Sequence, residues 1–197
     1  MSRRARVERR TGETSVRVEL DLDGTGRRDV RTPIGFLTHM LEQLARHALF
    51  DLTVQAEGDV HVDGHHTTED VGLLVGTAVA RALGDRAGIR RFGHAIIPMD
   101  DALATCAIDL SGRPHLVWRV PVPGTRLGGF DTELAEVFFD AFARGAQCNV
   151  HCHLHCGHVA HHVVEVCFKA LARALRSAVE RDERAPDVPS TKGTLDA

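Results

Sequence analysis

The sequence predicts an α+β fold with an internal duplication, in which each half is a β-sheet with two helices on one face. The first observation is a repeated segment: His65-His66-Thr67-Thr68-Glu69 returns as His161-His162-Val163-Val164-Glu165, each opening an apolar run with helical spacing. The second is that strand and helix patterns follow in the same order in both halves. The third is that Leu44-Ala45-Arg46 matches Phe142-Ala143-Arg144. We place the halves at residues 1–88 and 89–182, followed by a tail over 183–197.

In the first half, apolar and polar residues alternate over 15–22, and Asp23-Gly24-Thr25-Gly26 is typical of a turn. Residues 13–32 are therefore expected to form a β-hairpin. Residues 36–46 have helical spacing, 52–56 favour a strand, and 61–62 favour a second, short one. The helix that begins at His65 is expected to end near Leu83, because Gly84 follows.

The second half repeats this order. Residues 95–98, 103–110 and 115–120 favour strands, 111–114 a turn and 121–129 a loop. Helices are expected over 134–144 and from His161 to about Arg181. The tail has no core-forming pattern, and taken alone it is typical of a frayed end.

Composition narrows the function classes. The chain has 197 residues, a formal net charge of −3 and a pI near 6.5, which favours neither nucleic acid nor an acidic membrane surface as a partner. No apolar run approaches the roughly 20 residues that span a bilayer. The basic start lacks an apolar signal core, so we expect a cytoplasmic protein. The 13 histidines are unusual and ask for a chemical reason.

A cysteine- and histidine-rich segment covers residues 148–156. One set of alternate residues is apolar, with cysteine as a small hydrophobic residue, and the other set is Asn149, His151, His153 and His155. This alternation favours a strand over a zinc site, although a structural zinc ion stays an alternative. Disulfides are expected even less in a reducing compartment.

The doubled His-His-x-x-Glu segment predicts metal binding. On a helix the first His and the Glu share a face, while the second His points about 100° away, so each copy offers ligands to two metal ions. A solvated or capping histidine pair explains one copy but not two at the same spacing. Neither copy supplies a full ligand set, so we expect two halves or two chains to face each other across the metals.

His39 is a further candidate ligand, since it lies on the first predicted helix and could complete a metal site. Its equivalent in the second half is Val137, which cannot bind a metal ion. By spacing alone, a single histidine on a helix is more often structural, and the doubled segment shifts the balance toward a ligand.

Several ordered motifs together resemble the imidazoleglycerol-phosphate dehydratase family, and the resemblance covers nearly the whole chain. Besides the two His-His-x-x-Glu helices, they are Phe36-Leu37-Thr38-His39-Met40-Leu41-Glu42-Gln43-Leu44, Gly88-Ile89-Arg90-Arg91-Phe92-Gly93, Pro98-Met99-Asp100, Asp109-Leu110-Ser111-Gly112-Arg113-Pro114, Phe168-Lys169-Ala170 and Pro189-Ser190-Thr191-Lys192-Gly193.

The resemblance implies that imidazole glycerol phosphate loses water to give imidazole acetol phosphate, a step of histidine biosynthesis. It implies two Mn²⁺ ions per active site, sites formed between subunits, a homo-oligomer of 24 chains built from trimers, and two halves with the ribosomal protein S5 domain 2-like fold. The implied metal ligands are His39, His65, His66, Glu69, His161, His162 and Glu165. The implied phosphate-binding residues are Arg91, Arg113, Lys169, Ser190 and Lys192, and Gln43 and Glu13 are expected to touch the substrate.

The dehydration reaction also requires metal ions, a general base and a phosphate-binding site. The substrate has no carbonyl to acidify the departing proton, but an imidazole between two divalent cations can lose its ring proton and then expel the hydroxyl as an imidazolate. Glu69 or Glu165 is the candidate general base. Imidazole and carboxylate ligands without thiolate suit Mn²⁺ better than structural zinc. Arginine forks suit a phosphate dianion.

The chain departs from the family pattern at several positions. Val137 stands where the family has His or Glu, so one metal is expected to keep three protein ligands, with water or a neighbour such as His151 filling in. His153 replaces an Arg, His158-Val159 replaces Arg-Asn, and Thr38 replaces an Asp beside His39. Two alternatives follow: a catalytically weak or inactive metal-binding homologue that keeps the assembly, and a metallohydrolase acting on small phosphate esters.

Overall fold

The computed structural model describes residues 3–195, so residues 1, 2, 196 and 197 of the predicted first half and tail lie outside it. The helices are α1 (Gly35–Ala48), α2 (His65–Leu83), α3 (Leu134–Ala146) and α4 (Ala160–Val179). The strands are β1 (Arg4–Arg10), β2 (Thr14–Asp21), β3 (Arg28–Arg31), β4 (Asp51–Gly58), β5 (Phe92–Met99), β6 (Ala102–Asp109), β7 (His115–Arg119), β8 (Arg126–Leu127), β9 (Phe130–Asp131) and β10 (Asn149–Cys156).

The two large sheets have the same topology. Their strand orders are β1-β2-β4-β3 and β5-β6-β10-β7. In each sheet the first three strands are antiparallel and the last pair is parallel. This agreement confirms the predicted α+β fold with an internal duplication.

The helices pack between the sheets. α1 and α2 cover the first sheet, and α3 and α4 cover the second, as predicted. The pairs also cross between halves, because α2 packs on α3 and α1 packs on α4. The buried apolar side chains of both halves consequently form one contiguous core.

Glycines allow α2 and α3 to approach closely. A Cβ at Gly76 would lie 2.6 Å from the backbone nitrogen of Ala146, and one at Gly145 would lie 2.8 Å from that of Thr77. Side chains do not fit at such distances, so any larger residue would push the helices apart. These glycines fix how the halves sit against each other.

The hairpin predicted over residues 13–32 is wrong in its pairing. β2 lies between β1 and β4, and β3 runs parallel to β4 on the far side. The segment between β2 and β3 crosses the end of β4, where Asp51 accepts backbone hydrogen bonds from Thr25 and Arg27 at 2.7 and 2.9 Å. The bond from Thr25 is the largest cause of the lowered pKa of Asp51. A short turn signal could not reveal this crossover.

The sequence does not predict β1, because Val7 is the one buried residue among its seven. Its outward side chains form ion pairs across to β2, with Arg4 2.7 Å from Asp21 and Arg6 3.5 Å from Glu19. Strand alternation in a charged edge strand leaves almost no apolar signal.

The remaining predictions are mixed. α2 begins at His65 and ends before Gly84, as expected, and Gly84 has a positive φ of 60°. β10 confirms the buried and exposed alternation up to a bulge near its end. Residues 61–62 form a turn and not a strand, and the predicted loop over 121–129 contains β8.

The tail is packed against the rest of the chain, so its interpretation as a frayed end is wrong. Leu195 is 5% exposed. Arg86 donates to the Leu195 carbonyl at 3.0 Å, and the Gly88 N–H donates to the Asp187 carbonyl at 3.0 Å. Among the helices of residues 3–195, none is long and apolar enough to cross a membrane.

Candidate active site

Three predicted metal ligands meet where α1 packs on α4. The ligand atoms of His39, His161 and Glu165 all lie within 4.8 Å of one another. Nε2 of His39 is 3.3 Å from Oε2 of Glu165, and Nε2 of His161 is 3.0 Å from the same oxygen. α1 supplies His39, and the i, i+4 spacing on α4 supplies the other two.

Glu165 is held in a buried, positively charged setting. Its side chain is 6% exposed, and Oε1 lies 2.8 Å from the Lys169 ammonium. Burial raises the pKa of Glu165, but the hydrogen bond and charge of Lys169, together with His39, outweigh it and lower the pKa below its usual value. The group is therefore a carboxylate at neutral pH.

The second histidine of each copy is held by an aspartate. Nδ1 of His162 lies 2.6 Å from Oδ1 of Asp101, and Nδ1 of His66 lies 3.0 Å from Oδ2 of Asp59. The bond to Asp59 is the largest cause of the raised pKa of His66. The backbone N–H of His158 and the His162 contact lower the pKa of Asp101. With Nδ1 engaged, each Nε2 is left to bind another group.

The first copy of the motif is less complete. Within residues 3–195, the three-ligand cluster includes neither His65 nor Glu69. Oε1 of Glu69 instead lies 2.5 Å from Nη2 of Arg144 on α3, and the Glu69 side chain is 36% exposed. The prediction that one copy does not supply a full ligand set agrees with this arrangement.

Val137 stands on α3 two helical turns before Arg144, so both lie on one side of that helix. Arg144 contacts Glu69, which places this side of α3 toward the first copy of the motif. A valine there offers no ligand atom. His151 is exposed on the face of the second sheet that points away from the helices, and its role as a replacement ligand stays a prediction.

Four of the five predicted phosphate-binding residues line one cleft: Arg91, Arg113, Ser190 and Lys192. Arg91 forms a fork with Asp109, with Nε and Nη2 at 2.7 and 3.1 Å from its two oxygens. Nη1 of Arg91 donates to the Pro189 carbonyl at 2.8 Å, which holds the tail at the cleft.

The other predicted substrate contacts lie apart from this cleft. Lys169 contacts Glu165 and also Sδ of Met99 at 3.4 Å, so it stands at the three-ligand cluster. The Gln43 side-chain oxygen is 3.1 Å from Nε2 of His47. Oε2 of Glu13 is 3.9 Å from Nδ1 of His66.

Sequence reasoning missed the residues that hold the site residues in place: Asp59, Asp101, Asp109 and Arg144. Asp109 lies within a quoted motif, and Asp101 directly follows another, so the motifs pointed to their neighbourhood and not to their role. Arg144 belongs to the repeated Phe142-Ala143-Arg144 segment, but the sequence does not show its contact with Glu69, which lies 75 residues away. Asp59 lies only seven residues before His66, in a segment that no motif covers.

The cluster suits a divalent cation of intermediate hardness. Its donors are two imidazole nitrogens and a carboxylate oxygen, without thiolate. Cys106, Cys148, Cys152 and Cys167 are buried free thiols, and Cys156 is an exposed one. Burial raises the pKa of Cys148 to about 12, which disfavours the thiolate that zinc requires.

The sequence of this chain is similar to a protein family and to individual proteins of known name. Residues 32–175 match the family model described as imidazoleglycerol-phosphate dehydratase. The chain is 60% identical over 196 residues to the imidazoleglycerol-phosphate dehydratase of Granulibacter bethesdensis, covering 99% of this chain and 100% of the relative. It is 55% identical over 194 residues to that of Cereibacter sphaeroides, covering 98% and 100%.

Two solved structures have the same fold. The enzyme of Staphylococcus aureus aligns with a TM-score of 0.82 at 34% identity, covering 91% of this chain and 99% of that one. The Pyrococcus furiosus enzyme, solved in complex with (S)-C348, aligns with a TM-score of 0.83 at 35% identity, covering 95% and 99%. The family match, the identities and the shared fold show that this chain belongs to the imidazoleglycerol-phosphate dehydratase family.

Proposed function

We propose that this dehydratase of histidine biosynthesis eliminates water from imidazole glycerol phosphate through an imidazolate form of the substrate, bound with two Mn²⁺ ions per active site. The observation that carries the proposal is the cluster of His39, His161 and Glu165, on a chain that also has a basic cleft. When bound, the ions would supply the positive charge that acidifies the ring N–H of the substrate.

The proposed ligands divide between the motif copies. We propose that His39, His161 and Glu165 hold one ion, and that the remaining ligands, His65, His66, Glu69 and His162, complete both ion sites. The aspartates at His66 and His162 engage Nδ1 of each ring, which leaves Nε2 to bind an ion. Imidazole and carboxylate donors support manganese as the ion.

The contacts favour Glu69 over Glu165 as the general base. Glu165 is buried and has three partners, which suits a fixed ligand. Glu69 is more exposed and has an ion pair with Arg144, so it can exchange a partner and accept a proton. Gln43, on α1, and Glu13, directly before β2, are proposed to touch the substrate.

We propose that the phosphate group binds in the cleft of Arg91, Arg113, Ser190 and Lys192, with Lys169 joining from the metal cluster. Arg91 already bonds Asp109 and the tail, so it orders Ser190 and Lys192 as well as adding charge. Anchoring the phosphate orients the imidazole ring toward the metal ligands.

We further propose that the site forms between chains of a cytoplasmic homo-oligomer, with 24 chains built from trimers. Within residues 3–195, the first motif copy takes part in no cluster of three ligands, which supports a contribution from a neighbour. The division into halves at residues 1–88 and 89–182, with a tail from 183, is part of the same proposal.

The test is turnover of imidazole glycerol phosphate by Mn²⁺-loaded protein. Glu165→Gln and Glu69→Gln are each expected to lower kcat at least about a hundredfold, because each removes a carboxylate that binds metal or moves a proton. Glu165→Gln should also reduce Mn²⁺ uptake, whereas Glu69→Gln should retain the first ion. Glu136→Gln, on the exposed side of α3, is the control and should retain activity.

Folded, metal-loaded wild-type protein that converts no substrate would contradict the proposal and favour the inactive homologue, which Val137 supports. Release of inorganic phosphate from a set of phosphate esters would favour the metallohydrolase, because a dehydratase leaves the phosphate attached.

A further inference from the structure

Asp101 links the second motif copy to the loop before α4. Its Oδ1 lies 2.6 Å from Nδ1 of His162, and its Oδ2 accepts backbone hydrogen bonds from His158 and Val159 at 2.6 and 3.0 Å. Because a carboxylate can only accept, His162 donates from Nδ1, and its Nε2 then carries the free lone pair.

We infer that Asp101 is a positioning residue that holds His162 in the tautomer whose Nε2 can bind a divalent cation. The inference rests on the proposed function, which places a metal ion at His162. Oδ2 of Asp100 lies 3.6 Å from Nε2, beyond hydrogen-bond distance, so that contact does not fix a proton there.

The matching position in the first half gives independent support. Asp101 directly precedes β6, and Glu13 directly precedes β2, the equivalent strand. The Glu13 carboxylate lies 3.9 Å from Nδ1 of His66, while Asp59 takes the hydrogen-bonding place at 3.0 Å. Both halves thus set a carboxylate at Nδ1 of the second histidine. In the first half, Asp59 does this work and leaves Glu13 mostly exposed.

The hydrogen bonds of Asp101 predict how an asparagine at this position would bind its neighbours. In Asp101→Asn, the amide oxygen keeps the two backbone N–H groups and the NH₂ turns to His162. His162 must then accept at Nδ1, so its proton moves to Nε2 and removes the lone pair that a metal needs. The loop before α4 retains its bonds, so the fold should be preserved.

The experiment is a Mn²⁺ titration of the metal-free full chain, with free Mn²⁺ measured by electron paramagnetic resonance. Asp101→Asn is expected to weaken the affected site about 10- to 100-fold. Asp29→Asn, at an exposed ion pair with Arg31, is the matched control and should bind like the wild type. Unchanged affinity in Asp101→Asn would overturn the inference.

A double-mutant cycle separates positioning from a general effect on folding. In a His162→Gln background, Asp101→Asn should weaken Mn²⁺ binding by less than about twofold more, because its route to the metal is gone. An equal loss in both backgrounds would show that Asp101 acts through the fold, and would also overturn the inference. A wild-type chain that binds no Mn²⁺ would overturn the proposed function itself, which distinguishes the two failures.

Discussion

The two copies of the His-His-x-x-Glu helix start are related by duplication but lie in different surroundings. On α4, the His161 and Glu165 pair meets His39 from α1. On α2, the equivalent pair meets α3, where the position matching His39 is Val137, and Arg144 takes Glu69 instead. The first helix of each half faces the second helix of the other in both cases.

This difference shows that the motif alone does not make a three-ligand cluster. The helix that packs opposite each copy determines whether the cluster forms. α1 adds an imidazole to the copy on α4, whereas α3 neutralises the carboxylate of the copy on α2 with an arginine. We therefore expect the copies to respond differently to changes that leave the fold intact.

Metal removal should have the largest effect. If a neighbouring chain completes the first copy, chelation of the metal should reduce the proposed assembly of 24 chains to trimers, and the mass from light scattering should fall several-fold. Re-addition of Mn²⁺ should restore it. An unchanged mass after chelation would mean that the metal does not bridge chains.

Gly76→Ala should destabilise the contact that carries the first copy. The added Cβ would lie 2.6 Å from the backbone nitrogen of Ala146, so α2 and α3 must separate, at a cost of about 1–3 kcal/mol in the free energy of unfolding. Gly35→Ala is the control, because no atom lies within 4 Å of its added Cβ. Equal urea midpoints for the two variants would show that the approach is not tight.

Val137→His tests the difference between the two motif copies directly, because it gives α3 a histidine at the position that matches His39 on α1. We expect the affinity for the more weakly bound Mn²⁺ ion to rise about tenfold, with Val137→Ala as the volume control. Isothermal titration of metal-free chains would measure it. No gain over Val137→Ala would mean that position 137 does not face the first copy.

Arg144→Gln should have the smallest effect. Its ion pair with Glu69 is partly exposed, with side chains 45% and 36% accessible, so its loss should cost at most about 1 kcal/mol of unfolding free energy. Thermal melting in metal-free buffer measures this. A much larger loss would mean that Arg144 is a structural part of the α2–α3 contact.

Long periodic helices could be predicted from the sequence, but the pairing of the β-strands could not. α2 and α4 have repeated start signals and apolar faces, which gave their positions closely. β1 has one buried residue, and the partner of β3 depends on contacts made by Asp51 from a distant strand. Such non-local choices leave no local pattern.

The candidate site likewise contains residues that the sequence predicted and contacts that it did not. Spacing placed His161 and Glu165 on one helical face. The doubled segment and then the resemblance both indicated His39, which lies beside them. The aspartates at Nδ1 of His66 and His162 lie in loops outside α2 and α4, so their contacts appear only once the chain is folded. Likewise, the sequence could not show that Arg91 is occupied by Asp109 and the tail.

The crossed packing of the four helices resembles a twofold dimer whose subunits have been fused into one chain. In a dimer of identical chains, any substitution appears at both symmetric contacts at once. A fused chain has no such constraint, so an imidazole can remain at one contact while a valine and an arginine settle at the other. Covalent linkage thus lets one surface become a fixed ligand cluster and leaves its twin free to evolve toward a different partner.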